Sequence, residues 1–93
     1  MDPIQIKMLA VSTAGHDKGK TYAVLREEEG CVFLADGRKR KIENPKRKKR
    51  IHIQPVIHIQ PYFEPDELSA VSDADLRRIL RIWQTRKKED EDR

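Results

Sequence analysis

The stretch Thr21-Tyr22-Ala23-Val24-Leu25-Arg26-Glu27-Glu28-Glu29-Gly30-Cys31-Val32-Phe33-Leu34-Ala35-Asp36-Gly37 decides the fold class. Thr21, Tyr22, Val24 and Leu25 are strand formers, so Thr21–Glu28 is expected to be extended, with Glu29-Gly30 as its turn. Cys31–Ala35 is apolar at every position, as a central strand buried on both faces would be. Asp36-Gly37 is the strongest hairpin signal in the chain, because both central residues of a type I′ turn take positive φ. It predicts a returning strand over residues 38–42, ended by Asn44-Pro45. Upstream, residues 8–14 (Met8, Leu9, Ala10, Val11, Ser12, Thr13, Ala14) read as a first strand, and residues 15–20 form a polar turn with two glycines. Ile51-His52-Ile53 alternates as a short fifth strand. Short strands joined by tight glycine turns predict a mainly β fold, a small antiparallel barrel whose closure removes exposed sheet edges.

Beyond residue 54 the character of the chain changes. Ile51-His52-Ile53-Gln54-Pro55 is echoed by Ile57-His58-Ile59-Gln60-Pro61, and prolines at 45, 55, 61 and 65 favour extended backbone. From Ser72 a helix is expected: Ser72 and Asp75 have capping-box spacing, and Leu76, Ile79, Leu80 and Trp83 form one apolar stripe. The organisation expected is a barrel with a basic run over 1–54, an extended connector over 55–71, a helix over 72–88 and a frayed tail over 89–93. Two fates are open to the helix stripe. It packs on the barrel, completing an otherwise thin core, or it docks on a protein partner. The first is favoured because charged residues make up 39% of the chain and apolar ones only 37%.

Charge is unevenly placed. Residues 1–63 carry 13 basic and 7 acidic side chains, whereas residues 64–93 carry 7 basic and 9 acidic. Nine cations (Arg38, Lys39, Arg40, Lys41, Lys46, Arg47, Lys48, Lys49 and Arg50) stand against the single acid Glu43. Cations this dense release counterions from a nucleic-acid backbone, and they position a protein without reading sequence. If residues 38–42 alternate as a strand, Arg38 and Arg40 face one side and Lys39 and Lys41 the other. The glycine loop adds Lys18, Gly19 and Lys20, and glycine there would expose consecutive N–H groups to a ligand. His16 and His52 lie close enough in sequence to these cations to donate to RNA. Arg77, Arg78 and Arg81 offer a second basic surface on the helix.

Ser12-Thr13-Ala14-Gly15-His16-Asp17-Lys18-Gly19-Lys20, followed after a strand by Val32-Phe33-Leu34-Ala35-Asp36-Gly37, resembles a KOW domain. Asn44-Pro45-Lys46-Arg47-Lys48 is similar to small KOW proteins of the large ribosomal subunit and their short bacterial relatives. In the KOW pattern a characteristic glycine lies between the first two strands, where this chain has Gly19. The resemblance spans roughly residues 9–52. It implies an SH3-like barrel that binds RNA, with ribosomal RNA or the ribosome as the expected partner. The alternative is a protein-interaction module of the transcription machinery, in which an elongation-factor-like KOW domain contacts polymerase.

Other chemistry finds little support. Gly19-Lys20-Thr21 would end a P-loop, but Ala14 stands where its first glycine belongs, and a strand rather than a helix follows. Cys31 is alone, and His16, His52 and His58 have no metal-site spacing, so neither a disulfide, a metal nor a cofactor is expected. No nucleophile–base pair suggests an enzyme. Phe33 is expected in the core and Trp83 at the helix contact, leaving Tyr22 as the one barrel aromatic able to stack on a base. Residues 1–15 lack a secretion-signal pattern, and no apolar run is long enough to span a bilayer, so a cytoplasmic protein without membrane contact is expected.

Overall fold

The computed structural model describes residues 2–91. Among them are β1 (Ile4–Gln5), β2 (Leu9–Ser12), β3 (Thr21–Glu28), β4 (Cys31–Ala35), β5 (Lys46–Lys49), β6 (Ile53–Val56), β7 (Ser69–Ala70) and α1 (Asp73–Glu91). The architecture is mainly β: an antiparallel sheet of order β5-β4-β3-β2-β6, a two-stranded antiparallel sheet of β1 and β7, and one C-terminal helix. Strands β2 to β5 form a meander, and β6 returns beside β2, placing β5 and β6 at the two edges.

Those edges cannot lie far apart. Five flat strands spaced ~4.8 Å apart would put them roughly 19 Å from each other. Only the 3₁₀ turn Arg50–His52 separates Lys49 from Ile53, and four residues reach at most roughly 14 Å. The sheet therefore curls. Its concave face buries Ala10, Tyr22, Val24, Val32, Leu34 and Ile53. Its other face packs Leu9, Ala23 and Ala35 against Ile59, Phe63, Leu68, Leu76, Ile79 and Trp83 from the connector and helix.

Strands β3 and β4 have the expected bounds, but the turns around them differ from expectation. Glu29 (φ 49°) and Gly30 (φ 77°) are the pair with two positive φ angles, so the type I′ signature belongs to this turn and not to Asp36-Gly37. Residues 38–42 are not a strand. Asp36 Oδ1 accepts the backbone N–H groups of Arg38 (2.9 Å) and Arg40 (3.0 Å), and Arg40 O accepts those of Asp36 and Gly37. A side chain that satisfies nearby backbone donors competes with a sheet ladder, and here it closes a loop. The strand that pairs with β4 is instead Lys46–Lys49, in the register Leu34↔Lys46 to Cys31↔Lys49. The first strand is shorter than residues 8–14. The expected fifth strand over 51–53 is a 3₁₀ turn that leads into β6 at Ile53.

The Ile-His-Ile-Gln-Pro echo has a common logic despite its two backbone forms. In each copy the first isoleucine is exposed, Ile51 at 78% and Ile57 at 76%, while the second is buried, Ile53 at 7% and Ile59 at 3%. Pro55 is tolerated inside β6 because this edge strand pairs only with β2.

Helix α1 starts where the capping box predicts. Asp75 N donates to Ser72 Oγ (3.3 Å), and Asp75 Oδ2 accepts from Ser72 N (3.2 Å) and Val71 N (2.8 Å). Asp73 Oδ1 also accepts from Ile42 N at 2.9 Å, tying the helix start to the loop after β4. Gly37 is required at this junction, since a Cβ there would collide with the Asp73 carbonyl oxygen. Leu76, Ile79 and Trp83 are buried against this chain's own sheet and connector, so the stripe packs within the molecule. Tyr62 meets the Trp83 ring edge-on at 4.9 Å. Arg78 donates to Glu67 O (2.9 Å) and Ser69 O (3.3 Å), and Arg86 donates to Tyr62 O and to the Glu67 carboxylate, clasping the connector. The helix runs on to Glu91, through residues expected to fray; 92 and 93 lie outside the described residues. No helix among the described residues is long and apolar enough to cross a membrane.

Trp83→Ala should lower unfolding stability by about 3–5 kcal/mol, the usual cost of truncating a buried aromatic. Urea denaturation followed by circular dichroism measures it. An unchanged midpoint would mean that the helix does not support the sheet.

Candidate nucleic-acid interface

The basic run of β5 is divided by strand alternation. Lys46 and Lys48, opposite Leu34 and Val32, point to the concave side, while Arg47 and Lys49, opposite Phe33 and Cys31, point outward. The inward pair meets Asp17. Lys48 Nζ donates to Asp17 Oδ1 (2.6 Å), to Ser12 Oγ (2.6 Å) and to Ala14 O (2.8 Å), and its side chain is only 9% exposed. Lys46 Nζ donates to Asp17 Oδ2 at 2.9 Å. Ser12 Oγ (2.8 Å) and the Tyr22 hydroxyl (2.9 Å) complete the set, so four donors meet one carboxylate.

Two titrations are displaced as a result. Burial pushes the Asp17 carboxyl up, but the hydrogen bonds from Lys48, Lys46, Ser12 and Tyr22 outweigh it and hold the group well below the usual carboxylate range. Burial and the bond to Asp17 push the Tyr22 hydroxyl well above the usual phenol range. Tyr22 is 2% exposed, so it is a core and hub residue and not the stacking aromatic that its sequence position suggests. Phe33 is the half-buried one, on the outer face.

The glycine loop is also closed on itself. Gly19 N donates to Ser12 O (2.8 Å), Lys20 N to Asp17 O (2.9 Å) and Lys18 N to Gly15 O (3.3 Å). Its N–H groups therefore do not form the open cradle expected of a glycine-rich turn. Gly15 and Gly19 serve the turn itself, with φ of 87° and 90°.

What the fold does assemble is a cationic cleft of about 270 Å³. His16 and Lys20 come from the loop, Lys39 and Arg40 from the segment after β4, and Lys46 from β5, with Asp17 and Tyr22 completing the lining. Lys20 Nζ lies 2.6 Å from Asp36 and 5.3 Å from the Tyr22 ring centre, while burial is outweighed at Asp36 by its bonds from Lys20, Arg38 and Arg40, which hold it low. Lys20 also lines a second cleft, of about 230 Å³, with Arg38 from the loop and Arg77 and Arg81 from α1. The shared lysine makes the two clefts neighbours, and Arg77 is held there by donating to Gly37 O at 2.6 Å.

The remaining expected site residues are dispersed. Lys18 and Gly19 are exposed on the loop, and Lys41 is exposed before β5. Lys48 is structural, and Arg50 is engaged with Glu27 at 2.8 Å beside the β3–β4 turn, where its N–H also meets Gly30 O. His52 is half-buried in the 3₁₀ turn, with its carbonyl accepting from Thr13 N. Nothing local in the sequence marks Asp17 for burial, since it stands between His16 and Lys18 in a polar turn.

Asp17→Asn would leave Lys48 buried without a counter-charge and should cost about 3 kcal/mol. Because the folded carboxyl titrates below its unfolded value, its contribution is complete above about pH 5 and is lost as pH falls through the acid range. Denaturation midpoints between about pH 6 and pH 2 should fall less steeply for the variant than for the wild type. Parallel curves would show that Asp17 does not carry this dependence. No family model matches the chain, and a search of curated proteins returns no match.

Proposed function

We propose that this protein is a non-enzymatic RNA-binding protein that grips the phosphate backbone of folded RNA, as a KOW-type component or partner of the ribosome. The observation that carries the reading is the convergence of His16, Lys20, Lys39, Arg40 and Lys46 from three segments into one cleft, with Arg38, Arg77 and Arg81 beside it. Phosphate recognition needs several fixed cations at separate points, and a folded scaffold supplies that spacing better than one flexible run. Buried Tyr22 removes the stacking residue expected at this face, which favours shape and backbone contacts there over single-strand reading.

The strand order supports the fold side of the same reading. A four-strand meander with the fifth strand returning beside the first, curled enough for a 3₁₀ turn to join its edges, suits an SH3-like barrel left open between β5 and β6. The loop carrying Gly19 lies between the first two strands of this meander, the place the KOW resemblance assigns to its glycine.

Lys39 and Arg40 are the cations to change, because Lys20 and Lys46 already face Asp36 and Asp17. Sedimentation of a cell lysate at low salt should bring the protein down with a ribosomal subunit, and high salt should release it. The double variant Lys39→Glu/Arg40→Glu should stay near the top of the gradient while retaining its fold by circular dichroism. A wild-type protein that sediments free or with polymerase, and yields no RNA on crosslinking, would overturn the proposal.

A further inference from the structure

We infer that the outer face of β3, β4 and β5 holds a second, chemically different RNA site: a stacking platform for one unpaired base, made by Arg26 lying on Phe33 with Arg47 beside it. The inference rests on the RNA-binding reading above and adds base recognition to it.

The platform is created by an irregularity. Ala23 pairs with Ala35 and Val24 with Leu34, but a bulge then shifts the register so that Arg26, not Leu25, stands opposite Phe33. A bulge re-aims a side chain, and here it gives Leu25 to the core beneath the helix and Arg26 to the open end of the same face. The Arg26 guanidinium lies 3.9 Å from the Phe33 ring centre, close enough for direct stacking. Its Nε donates to Glu28 Oε1 at 3.1 Å, which tethers the guanidinium, and the side chain remains 51% exposed. One face of a planar cation is thus backed by a ring while the side chain stays open to solvent.

The surroundings fit a nucleotide. Arg47 pairs with Phe33 from the other side, where cross-strand side chains stand about 5 Å apart, and Lys49 follows two residues on. Both are exposed and point away from the Asp17 hub. A base on the guanidinium would place its phosphate near these cations, and Glu28 is already engaged with Arg26. The core does not require the ring, since Val32 and Leu34 on the same strand fill the concave face and Ala35 meets the helix side. A half-buried phenylalanine on the outer face, with a tethered and half-exposed guanidinium over its ring, offers what a stacking surface needs.

The test uses the full chain, an RNA hairpin with a single-stranded tail carrying one 2-aminopurine, and the same hairpin without a tail. Stacking quenches 2-aminopurine fluorescence. With wild-type protein the tail should be quenched and should tighten binding about tenfold. Arg26→Ala should abolish quenching and the gain from the tail, leaving affinity for the bare hairpin within about twofold, as expected of a site apart from the cleft. Arg26→Lys keeps the charge but loses the plane, so it too should lose quenching. Phe33→Leu, which preserves apolar cover of the strand, should weaken quenching. Equal binding of tailed and bare hairpins by the wild type, or undiminished quenching in Arg26→Ala, would overturn the inference and leave the cleft's role intact. Absence of binding to either RNA would overturn both proposals together.

Discussion

The Asp17 carboxylate has two oxygens and four donors around it, and the arrangement of the sheet depends on that meeting. The donors come from β2 (Ser12), β3 (Tyr22) and β5 (Lys46 and Lys48), and Asp17 itself sits in the loop between the first two of these strands. A charge this buried is costly unless its hydrogen-bonding capacity is filled, so the loop and β5 are stable in this position only together. The register of β5 follows. Slipping the strand by one residue would turn Lys46 and Lys48 outward and strip Asp17 of both its ammonium partners in this register. The same bond network sets the cleft, because it positions the loop bearing His16 and Lys20 against Lys46.

The C-terminal half solves a different constraint. A short sheet with alanines at Ala23 and Ala35 on one face has little to bury by itself, and α1 with the connector supplies Ile59, Phe63, Leu68, Leu76, Ile79 and Trp83. Arginines reinforce this packing at its margin, with Arg78 and Arg86 on connector carbonyls and Arg77 on the carbonyl of Gly37. Helix docking therefore has an electrostatic consequence: it brings Arg77 and Arg81 beside Lys20 and Arg38.

The cations consequently fall into groups with different work. Lys46 and Lys48 stabilise the fold, Lys39 and Arg40 line the cleft with their charge available, and Arg47 and Lys49 flank an aromatic surface on the opposite face. Treating the run as one uniform basic patch would overstate the charge that any single ligand meets.

Short-range signals in the sequence were sufficient for β3 and β4, for the start of α1 and for the stripe that docks it. In each case the signal lies within a few residues: a run of strand formers or apolar residues bounded by turns, a serine and an aspartate three apart, apolar side chains one helical turn apart, although Cys31 and Phe33 on β4 prove only half-buried rather than buried on both faces. The cationic character of the site was legible too, since cations from both the glycine loop and the segment after β4 meet in the cleft. Tertiary structure decided the rest. Residues 38–42 look like the returning strand until the Asp36 carboxylate takes the N–H groups of Arg38 and Arg40, and Lys46–Lys49 reads as part of one basic run until Asp17, 29 and 31 residues away, gives its lysines a buried partner. Strand parity places Tyr22 in the core and leaves Phe33 half-buried on the outer face, the reverse of what their sequence positions suggest, and the bulge after Val24 sets Arg26 rather than Leu25 opposite Phe33. Local pattern specifies what a segment can form; which face is buried, and which charges are neutralised there, depends on partners that only folding brings within reach.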